Sequence, residues 1–526
     1  MGRTILDGLR ETISAFPSKE AVVCGTTRYT YRELGERVDR LSTGLKRLGI
    51  GKGDRVAILS LNCHRYLELY YGVAQIGAAS VPLNFRVPPG EIKYIIDHSG
   101  AAAVMVDQSF RPIIDQLRPD LAGVRHFIYL AESSPPGASC PEGYMTYEEV
   151  LAGGQTTFED SGPDENDLVG LFYTSGTTGE PKGVMLSHLN IVSNVDNARA
   201  VYQGNSDDIY LHAAPTFHLA DAATVFSNMS QGIKQVFIPR FEPKAVLEAV
   251  SREHVTLLLL VPTMLNFLLQ SPELGSYDLS SVRQITYGAS PIAPELLRRA
   301  MRTLGCRFFQ GYGLTEASPL LTVLRPEDHE VSGEASARLA SCGKAVPGVE
   351  VRVVTDDGVE VAPGEVGEII ARGPNIMVGY WQRPEDTAAT VRDGWLHTGD
   401  LARVDQDGYI YLVDRKKDMI VTGGENVFST EVEAALYAHP AVKEAAVIGI
   451  PDSDWGEAVH ACVTLMEDRK VTPDELVEFC RSRLANYKLP RSIDFFDGEL
   501  PKGGSGKILK KELRERYWGG RSRRIG

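Results

Sequence analysis

The sequence predicts an α/β protein. It has a large N-terminal domain of layered, mostly parallel sheets with helices, a small β-barrel-like unit, and a small C-terminal α+β domain. Three observations carry this. From about residue 20 to 320, short apolar runs alternate with amphipathic stretches, the pattern of parallel strands joined by helices. After about 345 the texture becomes period-two alternation broken by turns. Past Arg415-Lys416-Lys417-Asp418, strand and helix patterns resume in a block of about a hundred residues, large enough for its own domain.

The elements follow in order. The N-terminus, MGRTILDGLRETISAF, reads as helix and lacks the apolar block of a signal peptide. Arg55 to Ser60 reads as a strand, Tyr66 to Ile76 as a helix, and Ser80 to Leu83 and Ala102 to Val106 as further strands. Leu168 to Tyr173 is an apolar run suited to a buried strand. Val184-Met185-Leu186 follows a glycine-rich loop, and Ser187-His188-Leu189-Asn190 opens a helix. Val255 to Val261 is a strand that ends at Pro262, too short to span a bilayer. Val349 to Val354 alternates, Asp356-Asp357-Gly358 turns the chain, and Val366 to Ile370 and Tyr409 to Val413 are strands.

The chain of 526 residues has ordinary globular composition, 43% hydrophobic and 24% charged. Its net charge of −14 disfavours nucleic acid and anionic membrane as partners. The seven cysteines are widely spaced with no C-x-x-C pair, which suits reduced thiols in a cytoplasmic protein rather than disulfides or zinc.

Residues 173–188 read YTSGTTGEPKGVMLSH. Glycines, hydroxyls and one cation suit a loop that wraps a phosphate, because backbone N–H groups and hydroxyls can converge on an anion. It is not a Walker loop: Lys182 precedes Gly183 and no Ser or Thr follows the lysine. Gln310-Gly311-Tyr312-Gly313-Leu314-Thr315-Glu316 offers small residues around a ring, a hydroxyl, and a carboxylate suited to Mg2+, though an isolated segment of this kind also suits a turn. Asp400 closes Trp395-Leu396-His397-Thr398-Gly399 either as a ribose acceptor or as an Asx turn. Lys507 ends the glycine-rich Pro501-Lys502-Gly503-Gly504-Ser505-Gly506.

The order YTSGTTGEPKG, QGYGLTE, WLHTGD, DRKKDMIVTGGENV and PKGGSGK resembles the adenylate-forming superfamily: acyl-CoA synthetases, carrier-protein adenylation domains and beetle luciferases. The resemblance runs from the strand near Arg55 to Lys507. It implies a division at 416/417, with an adenylation domain at 1–416 and a mobile, hinged domain at 417–526. It implies two half-reactions: a carboxylate attacks the α-phosphorus of ATP to give acyl-AMP and pyrophosphate, and a thiol, that of coenzyme A, then displaces AMP.

By the same resemblance, Thr174, Ser175, Gly176, Thr177, Thr178, Gly179 and Lys182 hold the departing phosphates. Gly288, Ala289, Ser290, Gln310, Gly311, Tyr312 and Gly313 surround the adenine. Asp400 takes the ribose hydroxyls, Arg415 lies near ribose and phosphate, and Thr315 bonds the α-phosphate. Thr174 and Glu316 serve Mg2+, and Lys507 bridges carboxylate and α-phosphate. Lys417 is the hinge, and Gly423, Gly424 and Glu425 line the coenzyme A tunnel. Gly503 stands where the family often has a hydroxyl, which weakens expected contacts there.

Pro215-Thr216-Phe217-His218 resembles the segment between acyl pocket and thiol tunnel, and makes His218 a candidate catalytic and pocket residue. Val261, Gly288, Ala289, Gly313 and Pro319 are its expected companions in the acyl pocket. Adenylation domains for amino acids usually carry an aspartate in place of His218. Histidine there fits fatty or aromatic acids, and the segment is closest to bacterial fatty-acid–CoA ligases. The expected substrate is therefore a medium- or long-chain fatty acid. An aryl acid, or a stand-alone adenylating enzyme that loads a carrier protein, are the alternatives. Asp221 is read as solvated or hydrogen-bonded rather than as a substrate ligand. The sequence admits a homodimer.

Overall fold

The computed structural model describes residues 2–130, 140–158, 162–174, 180–290, 292–330, 333–502 and 508–519. Two compact units divide the chain: Met1–Val351 with Ala371–Leu396, and Arg352–Ile370 with His397–Gly526.

In the first unit, the described residues form two large sheets. Across the nine-stranded sheet the order is Lys344–Ala345, Leu320–Leu324, Arg307–Gly313, Gln284–Gly288, Leu257–Leu260, Ile209–His212, Lys234–Phe237, Glu20–Cys24 and Thr27–Thr30. Its central pairs are parallel, and antiparallel pairs close both edges. The eight-stranded sheet runs Gly379–Tyr380, Lys182–Ser187, Leu168–Thr174, Ala79–Pro82, Arg55–Leu59, Ala103–Asp107, His126–Leu130 and Met145–Thr146. Five of its pairs are parallel, and Leu168–Thr174 and Gly379–Tyr380 pair antiparallel with Lys182–Ser187. The apolar runs read from sequence are these strands. The Val255 to Val261 run narrows to Leu257–Leu260 because Val261 caps the helix Pro262–Gln270, whose first-turn proline is preset for helix.

The main core draws Val22, Val56, Ile58, Val169 and Phe237 from strands of both sheets. It packs them against Tyr66, Tyr70 and Tyr71 of helix His64–Gln75 and Phe226 of helix Leu219–Met229. Burying such a ring stabilises by roughly 1.5–3 kcal/mol. Helix His64–Gln75 is buried at every residue, its Glu68 held by Arg37 Nε at 2.7 Å.

In the second unit, strand partners run from Asp400↔Arg415 to Val404↔Ile410 in an antiparallel pair. Beyond it lies a sheet ordered Glu425–Val427, Ile420–Thr422, Gly456–Leu465, Val442–Asp452, with Ser492–Phe495 also on Gly456–Leu465. Helices Ser429–Tyr437, Pro473–Arg481 and Lys510–Trp518 accompany it. All seven cysteines are free. Among the described residues, no helix is long and apolar enough to cross a membrane.

Candidate active site

Four neighbouring parallel strands of the nine-stranded sheet, Ile209–His212, Leu257–Leu260, Gln284–Gly288 and Arg307–Gly313, end at one edge. The candidates follow those ends: His218 after the first strand, Val261 after the second, Gly288, Ala289 and Ser290 at the third, Gln310 to Gly313 at the fourth. Ligands of open parallel sheets bind at the carboxyl ends of strands. Sequence-distant residues are gathered by parallel topology alone.

Local geometry shows why these residue types are needed. Gly288 is paired with Gly311, and a Cβ on it would meet the Gly311 carbonyl oxygen at 2.2 Å. A Cβ on Gly313 would meet the Pro319 carbonyl oxygen at 1.7 Å, and Leu314 N–H donates to that oxygen at 3.0 Å. These glycines serve close backbone approach within the protein itself. Ala289 adopts a left-handed φ of 63°, uncommon for a residue with a side chain and frequent at functional sites. Tyr312 is buried, and buried Gln310 has a side-chain oxygen that meets no donor. An orphaned buried acceptor suits a ligand donor. Gly313→Ala is expected to lower stability by about 1–3 kcal/mol, because the clash is with backbone. Thermal unfolding checks it, and an unchanged midpoint contradicts it.

His218 caps helix Leu219–Met229: its Nδ1 accepts from Ala220 N–H at 3.2 Å, which leaves the proton of the neutral ring on Nε2. Asn62, 2% exposed, fixes the approach to it. Its Nδ2 donates to the Ala214 carbonyl at 2.8 Å, and its Oδ1 accepts from Thr216 N–H at 2.9 Å and Thr216 Oγ1 at 3.0 Å. Asp221 is 1% exposed. It is engaged by His212 Nδ1 at 2.8 Å and by the Tyr210 hydroxyl at 3.2 Å. Of the two roles read for Asp221, the hydrogen-bonded one is found, not the solvated one.

The phosphate-loop candidate spans an antiparallel strand pair in which Thr174 is opposite Lys182 and Tyr173 opposite Gly183. Ser175, Gly176, Thr177, Thr178 and Gly179 lie outside the described residues. Lys182 Nζ pairs with Asp386 Oδ1 at 2.6 Å and sits 5.1 Å from the Tyr380 ring centre. Glu180 pairs with Arg383. Thr315 and Glu316 form the short turn Thr315–Ala317, whose Ala317 carbonyl accepts from Asn375 Nδ2 at 2.8 Å. Glu316 is buried, and its Oε1 accepts from the Tyr380 hydroxyl at 2.7 Å. Burial, with the Glu316 charge beside it, raises the Tyr380 pKa, so the hydroxyl stays a donor. A carboxylate held this way fits a hard cation that prefers oxygen ligands. Among the described residues no group of three His, Cys, Asp or Glu gathers to hold a metal ion.

In the second unit, Asp400 and Arg415 are direct strand partners, with Arg415 Nε 3.3 Å from Asp400 Oδ1. Asp400 N–H donates to Thr398 Oγ1 at 3.1 Å, the Thr398 hydroxyl donates to the Ile369 carbonyl at 2.8 Å, and Lys416 N–H donates to the Gly399 carbonyl at 2.9 Å. Lys417 is partly buried, which pushes its ammonium down to about 8. Gly423 and Gly424, φ 59° and 85°, turn the hairpin of Ile420–Thr422 and Glu425–Val427, with Thr422 opposite Glu425. Both φ values require glycine-like freedom. A Cβ on Gly423 would also strike the Trp455 ring at 2.3 Å. Lys507 and Gly503 lie outside the described residues.

Sequence reasoning missed Tyr380, Asp386 and Asn62. Each acts through a partner far along the chain, 64 positions for Tyr380 to Glu316 and 204 for Lys182 to Asp386, and no local spacing marks such pairs.

Candidates gathered at the carboxyl ends of parallel strands are the arrangement in which open α/β sheets bind ligands. Residues 9–381 match the AMP-binding enzyme family and residues 431–507 its C-terminal domain. The chain is 41% identical over 506 residues to a feruloyl-CoA synthase of an Amycolatopsis species, covering 95% of this chain and 96% of that protein. It is 35% identical over 514 residues to a long-chain-fatty-acid–CoA ligase of Mycobacterium tuberculosis, covering 97% of each. The solved anthranilate CoA ligase in complex with anthranoyl-AMP superposes with a TM-score of 0.88 at 28% identity, covering 98% of this chain and 97% of that one. The chain belongs to the AMP-binding, adenylate-forming enzyme family. It is an AMP-forming acid–thiol ligase that uses ATP, Mg2+ and coenzyme A.

Proposed function

We propose that the protein activates a hydrophobic monocarboxylic acid as its adenylate and transfers the acyl group to coenzyme A, with aryl acids of the hydroxycinnamate type preferred to fatty acids. The carrying observation for the acid is the 41% identity to a feruloyl-CoA synthase, against 35% to the long-chain ligase. That weighting reverses the preference read from the sequence segment around His218. The fatty-acid reading remains the second, supported by the same apolar candidates: His218, Val261, Gly288, Ala289, Gly313 and Pro319. We place the enzyme in the cytoplasm, where ATP and coenzyme A are supplied.

Adenylation brings two anions together, so its barrier falls mainly through charge neutralisation and positioning. In this reading Lys182 and the loop hydroxyls from Thr174 to Thr178 receive the departing phosphates. Thr315 donates to the α-phosphate. Gly288 to Ser290 and Gln310 to Gly313 take the adenine, and Asp400 accepts the ribose hydroxyls with Arg415 beside it. Lys507, a mobile point charge, bridges carboxylate and α-phosphate. Thr174 and Glu316 would hold Mg2+, which when bound neutralises charge on the phosphates. For the thiol step, residues 417–526 turn about Lys417 as a mobile domain against 1–416, and Gly423, Gly424 and Glu425 line the path of the thiol arm.

An amino acid is a poor substrate in this reading. Its ammonium needs a buried partner, and leaving it unpaired costs several kcal/mol. Asp221 is already engaged by His212 and Tyr210. The test is kcat/KM over a panel of ferulate, straight-chain fatty acids and amino acids. Expected is a value for ferulate at least about tenfold above every straight-chain acid, a difference of about 1.4 kcal/mol, with amino acids lowest. A long-chain acid in first place establishes the second reading instead, and an amino acid in first place overturns both.

A further inference from the structure

The two candidates with the plainest tasks, the phosphate-loop lysine and the Mg2+ carboxylate, share one neighbour. Tyr380 donates its hydroxyl to Glu316 Oε1 at 2.7 Å, and its ring centre lies 5.1 Å from Lys182 Nζ. Tyr380 is itself fixed twice. The strand Gly379–Tyr380 pairs with Lys182–Ser187, placing Tyr380 opposite Val184, and Tyr380 N–H donates to Thr387 Oγ1 at 2.9 Å. Met377 N–H donates to the Glu316 carbonyl at 2.9 Å, so the chain leading into that strand also holds the Glu316 turn. Asp386, in the first turn of helix Pro384–Thr390, pairs with Lys182 Nζ at 2.6 Å.

We propose that Tyr380 is a positioning residue that aligns the metal-binding carboxylate of Glu316 and the phosphate-binding ammonium of Lys182 as one unit before nucleotide arrives. The proposal rests on the site reading given above. Its two contacts do different jobs. The hydroxyl takes one carboxylate oxygen and so sets the direction in which Glu316 can offer a ligand. The ring face attracts the Lys182 ammonium, a cation–π contact worth about 0.5–2 kcal/mol, and limits where it can swing.

The two jobs separate by mutation. Tyr380→Phe keeps the ring and loses the hydroxyl, and Tyr380→Leu loses both. ATP binding to the full chain is titrated calorimetrically with Mg2+ and with a chelator, and unfolding midpoints are measured beside it. Expected for Tyr380→Phe is a loss of about ten- to hundredfold in the Mg2+-dependent gain in ATP affinity, the range of one hydrogen bond to a charged group, with metal-free ATP binding unchanged. Expected for Tyr380→Leu is that same loss plus weaker metal-free binding. A Tyr380→Phe protein that keeps the full Mg2+-dependent gain overturns the proposal. So does one whose ATP affinity falls equally with and without Mg2+, the result of a merely structural role. Absence of ATP binding in the unmutated chain instead removes the site reading on which the proposal stands.

Discussion

Lys507→Ala is expected to slow adenylation by about 10²–10³-fold, roughly 3–4 kcal/mol of transition-state stabilisation, the loss seen when one aimed charge donor is removed. Thioester formation from pre-made acyl-adenylate is expected to survive, because Lys507 is needed only where carboxylate meets α-phosphate. Single-turnover assays of each half-reaction check this. Equal loss in both, with the unfolding midpoint unchanged, contradicts the role.

Lys417→Pro is expected to reverse that pattern, cutting thioester formation by at least about tenfold while adenylation changes little. Proline fixes φ near −65° and restricts the residue before it, so a segment that must swing between two states is held in one. The surroundings suit a joint. Arg415 carbonyl accepts from Asp418 N–H at 2.8 Å and Met419 N–H at 3.1 Å, a tight turn between strands Ile410–Arg415 and Ile420–Thr422. Lys417 itself sits where burial pushes its ammonium down to about 8. Unchanged coenzyme A-dependent turnover in a folded Lys417→Pro protein contradicts the hinge.

Much of the fold was legible because it is written in local runs. Leu168 to Tyr173 and Val184 to Leu186 announce strands by their apolar side chains, and Leu168–Thr174 and Lys182–Ser187 are found as an antiparallel pair. Ser187 announces the helix it caps, accepting from Asn190 N–H at 3.3 Å. Strand order was not legible. Glu20–Cys24 lies beside Lys234–Phe237, a pairing that no local pattern encodes because its stabilisation comes from contacts across two hundred positions.

The site divides in the same way. Glycine-bearing segments stood out from composition, but their physical reason did not. A Cβ on Gly313 would strike the Pro319 carbonyl oxygen, a contact that composition does not show. Asp221 read as either solvated or hydrogen-bonded, and the structure decides for the second: it is buried on His212, because the chain turns from strand Ile209–His212 into helix Leu219–Met229. The acid was least legible of all. The shape of an acyl pocket is set by side chains from several strand ends at once, and a one-methylene change there is worth only about 0.8 kcal/mol.

The central claim, carboxylate activation through an adenylate followed by thiol capture, is tested most directly by product stoichiometry. The purified chain is incubated with ATP, Mg2+, coenzyme A and ferulate or a long-chain fatty acid, and AMP, pyrophosphate and thioester are quantified together. The account predicts one AMP and one pyrophosphate for each acyl-CoA, with pyrophosphate release dependent on the acid. ADP and inorganic phosphate as products, or pyrophosphate release without acid, would contradict it.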